Sequence, residues 1–280
     1  MNAPLFAGFE GAKLHWNGHD TLLSTGHTPE ALMVAHYQEA LAQGAVGFRD
    51  VMPERFDVTG RWLRARVSVP RGTPIVWSMI HFDQPRNPLK HAQSCASIAG
   101  PYDRFIAVCE PSVGYAVAKR SREQATLLSA AMMGAALATR GSVRFWTCDP
   151  VHSLNPDVWR ATDELVELFG KAIEVVGVNH HPMHGAAPIR DILRAAADRY
   201  PDHRIGLTET SWHDGHPVAE TVFPTIRSRR EWWDHVQNEI AASGVDLACV
   251  TWMPWKSMSW EPDQYWPNGW PMKNEENEHD

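Results

Sequence analysis

The chain has 280 residues, 44% of them hydrophobic, with 33 acidic against 26 basic side chains and a formal net charge of −7. That balance excludes the basic stripe of a nucleic-acid binder, and no run approaches the ~18 apolar residues of a membrane span. A chain of this length buries one large core and is usual for a single α/β barrel domain.

Taken in chain order, apolar strand-like runs alternate with helical segments. Leu5–Gly11 is the first run. Thr28-Pro29-Glu30 then opens a helix over Ala31–Gln43, with Pro in the first turn and Gly44 as its stop. Ala45–Arg49 and Pro74–Ile80 are the next strands, each followed by a weaker helical segment, 54–69 and 87–99. Arg104–Glu110 precedes a helix over 116–139 ended by Gly141, and Val143–Cys148 precedes one over 156–172. Val175–Asn179, a helix over 188–199, Ile205–Thr208, a helix over 226–243 closed by Gly244, and Leu247–Trp252 complete eight strand–helix units.

Continuous rather than alternating apolar runs indicate strands covered on both faces, as in a parallel sheet. Eight such units, with no low-complexity linker between them, predict a single-domain (β/α)8 TIM barrel over residues 1–272. The acidic segment Lys273–Asp280 reads as a disordered tail. The N-terminal residues lack a signal-peptide pattern. The four cysteines, Cys95, Cys109, Cys148 and Cys249, form no CxxC pair, so reduced core thiols and a cytoplasmic location are expected.

Barrel chemistry belongs at the C-terminal ends of the strands. The residues there are polar: Glu10; Arg49 and Asp50; His81 and Asp83; Glu110; Asp149 and His152; Asn179, His180 and His181; and Glu209, with Trp252 after the last strand. Each has a structural alternative, such as an ion pair for Arg49, a core histidine for His81 or a plain turn for Asp149-Pro150. Two segments stand out, Phe105-Ile-Ala-Val-Cys-Glu110-Pro111 and Ile205-Gly-Leu-Thr-Glu209-Thr-Ser, because each delivers a glutamate out of an apolar strand. Burying a carboxylate is costly unless something pairs with it. Two facing one pocket are the equipment for cleaving a glycosidic bond, one as acid and the other as nucleophile or base. Trp is abundant, 13 in all, and Trp252, Trp255, Trp260, Trp266 and Trp270 crowd a segment rich in Pro, Asn and Gly that suits a loop. Their flat apolar faces would suit the wall of a sugar pocket.

At these residues the chain resembles the clan A retaining glycoside hydrolases, most closely the family 1 β-glycosidases. His36-Tyr37 with Gly44-Ala-Val-Gly-Phe-Arg49 is similar to that family's first helix and second strand. His81-Phe-Asp83-Gln-Pro85 is similar to its His-Trp-Asp-x-Pro, Cys109-Glu110-Pro111 to Asn-Glu-Pro, Gly177-Val-Asn179-His-His181 to Gly-x-Asn-Tyr-Tyr, and Thr208-Glu209-Thr to Thr-Glu-Asn. The resemblance implies Glu110 as acid/base and Glu209 as nucleophile, with Arg49 holding Glu209 ionised. It further implies substrate contacts from His81, Asn179, His181, Trp252, Glu10, Trp260 and Glu261, a small carbohydrate as substrate, and no cofactor or metal. Cys109 stands where the family carries Asn, and Glu261 follows Trp260 rather than preceding a Trp. Two other readings remain open: a sugar-binding barrel without turnover, motivated by Cys109, and a metal-dependent sugar isomerase or lyase. In the latter, His180, His181, Glu110, Glu209 and Asp149 would supply ligands, with Arg49 opposing a cation.

Overall fold

A computed structural model describes residues 3–9, 29–52, 69–80, 85–113, 121–181, 185–212, 223–226 and 228–253. Within them lie strands β1 (Leu5–Gly8), β2 (Gly47–Val51), β3 (Ile75–Ile80), β4 (Asp103–Val108), β5 (Phe145–Trp146), β6 (Asp149–Pro150), β7 (Ile173–Asn179), β8 (Arg204–Thr210) and β9 (Leu247–Trp252). The helices are α1 (Pro29–Ala42), α2 (Pro88–Ile98), α3 (Arg122–Thr139), α4 (Arg160–Phe169), α5 (Ile189–Arg199) and α6 (Arg229–Ser243).

All strand pairs are parallel and follow chain order from β1 to β5, then β7, β8 and β9, which returns to β1. The sheet therefore closes into an eight-stave barrel, with β5 and β6 as two pieces of the fifth stave. The sequence predicted one strand over Val143–Cys148 there. The break has a local cause: Gly177 donates its N–H to the hydroxyl of Thr147 at 2.9 Å, so a side chain takes the place of a ladder carbonyl. Gly177 is also required for the approach of the two staves, since a Cβ would collide with the Thr147 carbonyl and the Thr208 side chain.

Helix limits follow their caps. Ser121 and Ser228 each form a capping box, with Gln124 and Glu231, so α3 and α6 begin later than the periodicity alone indicated. Asn87 caps α2 through Lys90 N–H, converting the weak 87–99 signal into a defined helix. The 156–172 segment is α4 flanked by 3-10 turns at Pro156–Trp159 and Gly170–Ala172. Residues 54–68 of the 54–69 segment and the 273–280 tail lie outside the described residues.

Two apolar clusters confirm strands buried on both faces. Phe6, Val76, Ile106, Trp146, Val175 and Ala248 fill the barrel with Cys109, Cys148 and Cys249. A larger cluster lies between sheet and helices, including Phe9, Tyr37 and Phe48, whose Tyr37–Phe48 rings stack at 4.4 Å. All four cysteines are buried free thiols. No helix among the described residues is long and apolar enough to cross a membrane.

Candidate active site

The C-terminal mouth of the barrel gathers six of the residues singled out from the sequence. Arg49, fully buried on β2, forms an ion pair with Glu209 on β8. Its Nη1 also donates to the Thr208 carbonyl at 3.0 Å and its Nη2 to the Cys109 sulfur at 3.1 Å. Burial opposes the guanidinium charge, but Cys148, Glu209 and Cys109 outweigh it and raise the pKa further. Charge-assisted contacts of this kind fix Glu209 in place.

Two thiols face the same carboxylate. The Cys109 and Cys148 sulfurs lie 3.6 and 3.8 Å from Glu209 Oε1 and 3.5 Å from each other. Burial first, then Cys148, pushes the Cys109 thiol well above its usual range, so it is a neutral S–H donor. On the other carboxylate oxygen, His181 Nε2 stands at 3.5 Å, while its Nδ1 meets Ser211 Oγ at 3.1 Å. A carboxylate only accepts, so both contacts are satisfied when the Nε2 proton faces Glu209 and Nδ1 accepts from Ser211.

Glu110 follows β4 in a different setting. Its backbone N–H donates to the Cys148 carbonyl at 2.7 Å, and its φ of 53° lies in the left-handed region. The Asn179 amide donates to its Oε1 at 2.8 Å. Burial, then the charge of Glu209, raises the Glu110 pKa; the Asn179 hydrogen bond, His181 and Arg49 oppose the shift. A carboxylate oxygen of Glu110, one of Glu209 and a ring nitrogen of His181 all lie within 4.8 Å of one another.

Asn179 was expected to face substrate. It is fully buried at the end of β7, and its Oδ1 accepts from Thr208 Oγ1 at 2.9 Å and from Cys148 at 3.1 Å. Trp252 is likewise buried, edge-on to Trp233 with centroids 5.8 Å apart. Glu10, His81, Asp83, Trp255, Trp260, Glu261, Trp266 and Trp270 lie outside the described residues. Behind the mouth, Asp50 accepts from Tyr37 Oη at 2.6 Å, and His152 packs on His180 with centroids 5.3 Å apart. His180 Nε2 lies 2.9 Å from the Ala187 carbonyl, which can only accept, so the ring carries its proton there. Burial pushes His180 down to about 4 and His152 to about 3.

Sequence reasoning missed Cys148 and Ser211 as site residues. The available signal for Cys148 was its place at the end of the predicted fifth strand, level with Cys109 at the end of the fourth.

Among the described residues, two triads have ligand atoms close enough for a cation: Cys109, Cys148 and Glu209, and Glu110, His181 and Glu209. Asp149 and His180 join neither. Both triads need Glu209, whose Oε1 is held by the buried Arg49 guanidinium, so a cation there would meet a like charge at close range.

No family model and no curated protein matches the chain. Solved structures do. The GH53 catalytic domain from Ignisphaera aggregans shares 13% identity at a TM-score of 0.54, over 83% of this chain and 81% of that one. The family 1 β-glucosidase from Thermotoga maritima shares 13% at 0.57, over 90% and 88%. An exo-β-1,4-mannosidase from Opitutaceae bacterium strain TAV5 shares 11% at 0.59, over 91% of this chain and 52% of that longer one. The resemblance to clan A glycoside hydrolases read from the sequence therefore holds for the fold: a closed (β/α)8 barrel.

Proposed function

We propose that this barrel is a retaining O-glycosyl hydrolase acting by double displacement, with Glu209 as nucleophile and Glu110 as acid/base. The observation that carries the reading is the approach of the two carboxylates, with oxygens within 4.8 Å of one another. Retaining pairs stand about 5–5.5 Å apart, whereas inverting pairs leave about 6.5–9.5 Å for a water. Their surroundings support the division of labour. Glu209 meets Arg49, two thiols and His181, whereas Glu110 has one amide donor and a raised pKa, as an acid requires.

In the first half-reaction Glu110 would protonate the leaving oxygen while Glu209 attacks the anomeric carbon. In the second, Glu110 would deprotonate the water that releases the sugar. The similarity of the fold to a β-glucosidase and a β-mannosidase favours a small β-linked sugar conjugate or oligosaccharide as substrate. Four buried free thiols fit a reducing, cytoplasmic setting.

Chemical rescue tests the assignment. Glu209→Ala with added azide should give a product of inverted anomeric configuration. Glu110→Ala with azide and a good leaving group should give one of retained configuration. Full activity in both variants would end this reading, and exchanged stereochemistry would exchange the two roles.

A further inference from the structure

Asp149, placed by the sequence at the barrel mouth with a plain turn as its structural alternative, is 1% exposed. It lies against the turn that carries Glu110. Its Oδ1 accepts the Ser112 N–H at 3.0 Å, two residues beyond Glu110 and inside the 3-10 turn Pro111–Val113. Its Oδ2 faces the Thr162 hydroxyl of α4 at 3.5 Å.

We propose that Asp149 is a positioning residue for Glu110, fixing the turn that presents the Glu110 carboxyl to Glu209 and Asn179. The geometry forms a closed circuit. Glu110 is held through its backbone by the Cys148 carbonyl and through its side chain by Asn179 on β7. Asp149 sits on β6, which pairs with β7 at Asp149↔Val178 and Pro150↔Asn179, and it returns to the turn through Ser112. The two residues that grip Glu110, directly or through its turn, therefore stand on adjacent staves in fixed register.

The circuit has a strained link to restrain. Among the described residues, Glu110 alone of the non-glycines adopts a positive φ, a conformation that L side chains rarely take and that surrounding contacts must enforce. The Ser112 N–H is the first such contact after it. A carboxyl serves because it accepts from Ser112 whether ionised or not. Burial pushes its pKa up to about 7, against the Ser112 hydrogen bonds and with the charge of Glu110 adding to the rise. Arg122, at the start of α3, is the opposing cation.

The circuit itself does not depend on the glycosidase reading; only its catalytic consequence rests on Glu110 acting as the acid. The test uses Asp149→Ala, and Asp149→Leu, which keeps the shape without an acceptor, should the Ala variant fail to fold. With poor leaving groups, which need protonation, kcat/KM should fall about ten- to a hundredfold, the scale of a misplaced group. With dinitrophenyl glycosides, which do not, kcat/KM should hold, while kcat and KM fall together because Glu110 is also the base that releases the sugar in the second half-reaction. Asp149→Asn keeps an acceptor oxygen and should restore both.

In parallel, the NMR signal of the Asn179 side-chain amide, donated to Glu110, should shift in Asp149→Ala and return in Asp149→Asn. An equal loss of kcat/KM with both leaving groups, or an Asn179 signal unchanged in a folded acceptor-free variant, overturns the proposal. A wild type that cleaves no glycoside defeats the glycosidase reading alone, because the amide signal needs no substrate.

Discussion

Arg49→Met removes the cation from a fully buried site and leaves the Glu209 carboxylate, whose side chain is only 9% exposed, without its ion-pair partner. Breaking a buried pair from one side costs about 3–5 kcal/mol, because the remaining charge stays desolvated. The Thr208 carbonyl also loses the donor now at 3.0 Å, a cost of about 1–3 kcal/mol when nothing replaces it. These terms overlap, so a loss of about 3–5 kcal/mol is expected, a large share of the ~5–15 kcal/mol by which domains are folded. The same reasoning fixes the second corner of a double-mutant cycle. Glu209→Gln alone strands the guanidinium, whereas Arg49→Met with Glu209→Gln strands neither charge. The double variant should then be more stable than Arg49→Met alone, by about 2 kcal/mol or more. Guanidinium chloride unfolding of the four proteins, with m-values compared to confirm a common unfolded state, measures each corner. If the two losses simply add, the pair is not coupled, and the argument that Arg49 anchors Glu209 fails.

Cys109→Asn should speed hydrolysis of glycosides bearing a 2-hydroxyl by about ten- to a hundredfold and leave 2-deoxy analogues unchanged, since an amide donor can reach a hydroxyl that a thiol serves poorly. Parallel effects on both substrates would show that the side chain does not reach the sugar. Burial holds His180 near 4 against an ordinary 6.5, so the neutral ring is favoured on folding. Stability is then complete above about pH 6.5 and lost as pH falls toward about 4, by about 3 kcal/mol for this ring. His180→Gln, which can still donate to Ala187, should flatten that part of the acid-unfolding curve. Asp149 has the opposite sign. Its pKa is raised from 3.8 to about 7, so the wild type should lose up to about 4 kcal/mol as pH rises across that window. Asp149→Asn should therefore gain in melting temperature over wild type between pH 4 and 8, and a constant difference would refute the burial argument.

The eight staves were legible because each is buried on both faces and so appears as an unbroken apolar run. Both glutamates and Arg49 were legible for the complementary reason, that a charge at the end of such a run needs a partner. What the sequence concealed depends on closure of the barrel. Asn179 sits at the right end of its strand, but only the stagger between β7 and its neighbours turns its amide onto Glu110 and its carbonyl toward Thr208 and Cys148. Cys109 and Cys148 were read as reduced core thiols because they lie in predicted strands and form no CxxC pair, and they are buried. Their second property, contact with Glu209, comes from three staves converging on one oxygen. The broken fifth stave was equally hidden, since Thr favours strands and nothing local shows that its hydroxyl will replace a backbone acceptor.

Two chemically identical side chains in one pocket meet different partners because of where their backbones lie. Glu209 is within β8, so its carboxyl is reached by side chains from the facing staves: Arg49 from β2, thiols beyond β4 and β5, and His181 beyond β7. Arg49, Cys109 and His181 donate to it, and donors favour the charged form of an acceptor, whereas the single Cys148 proton goes to Asn179 Oδ1 at 3.1 Å. Glu110 lies one step past the Cys109 that follows β4, on a turn that lifts it out of this ring of donors and, among the described residues, leaves it one amide. It also faces the charge of Glu209, which favours keeping its proton. The positive φ at Glu110 thus has a chemical consequence. An extended backbone there would continue the stave, whereas the left-handed turn sets the second carboxyl beside the first without giving it the same partners. The two carboxyls are thus given different surroundings by the backbone before any substrate arrives, which is what the proposed division into acid and nucleophile requires.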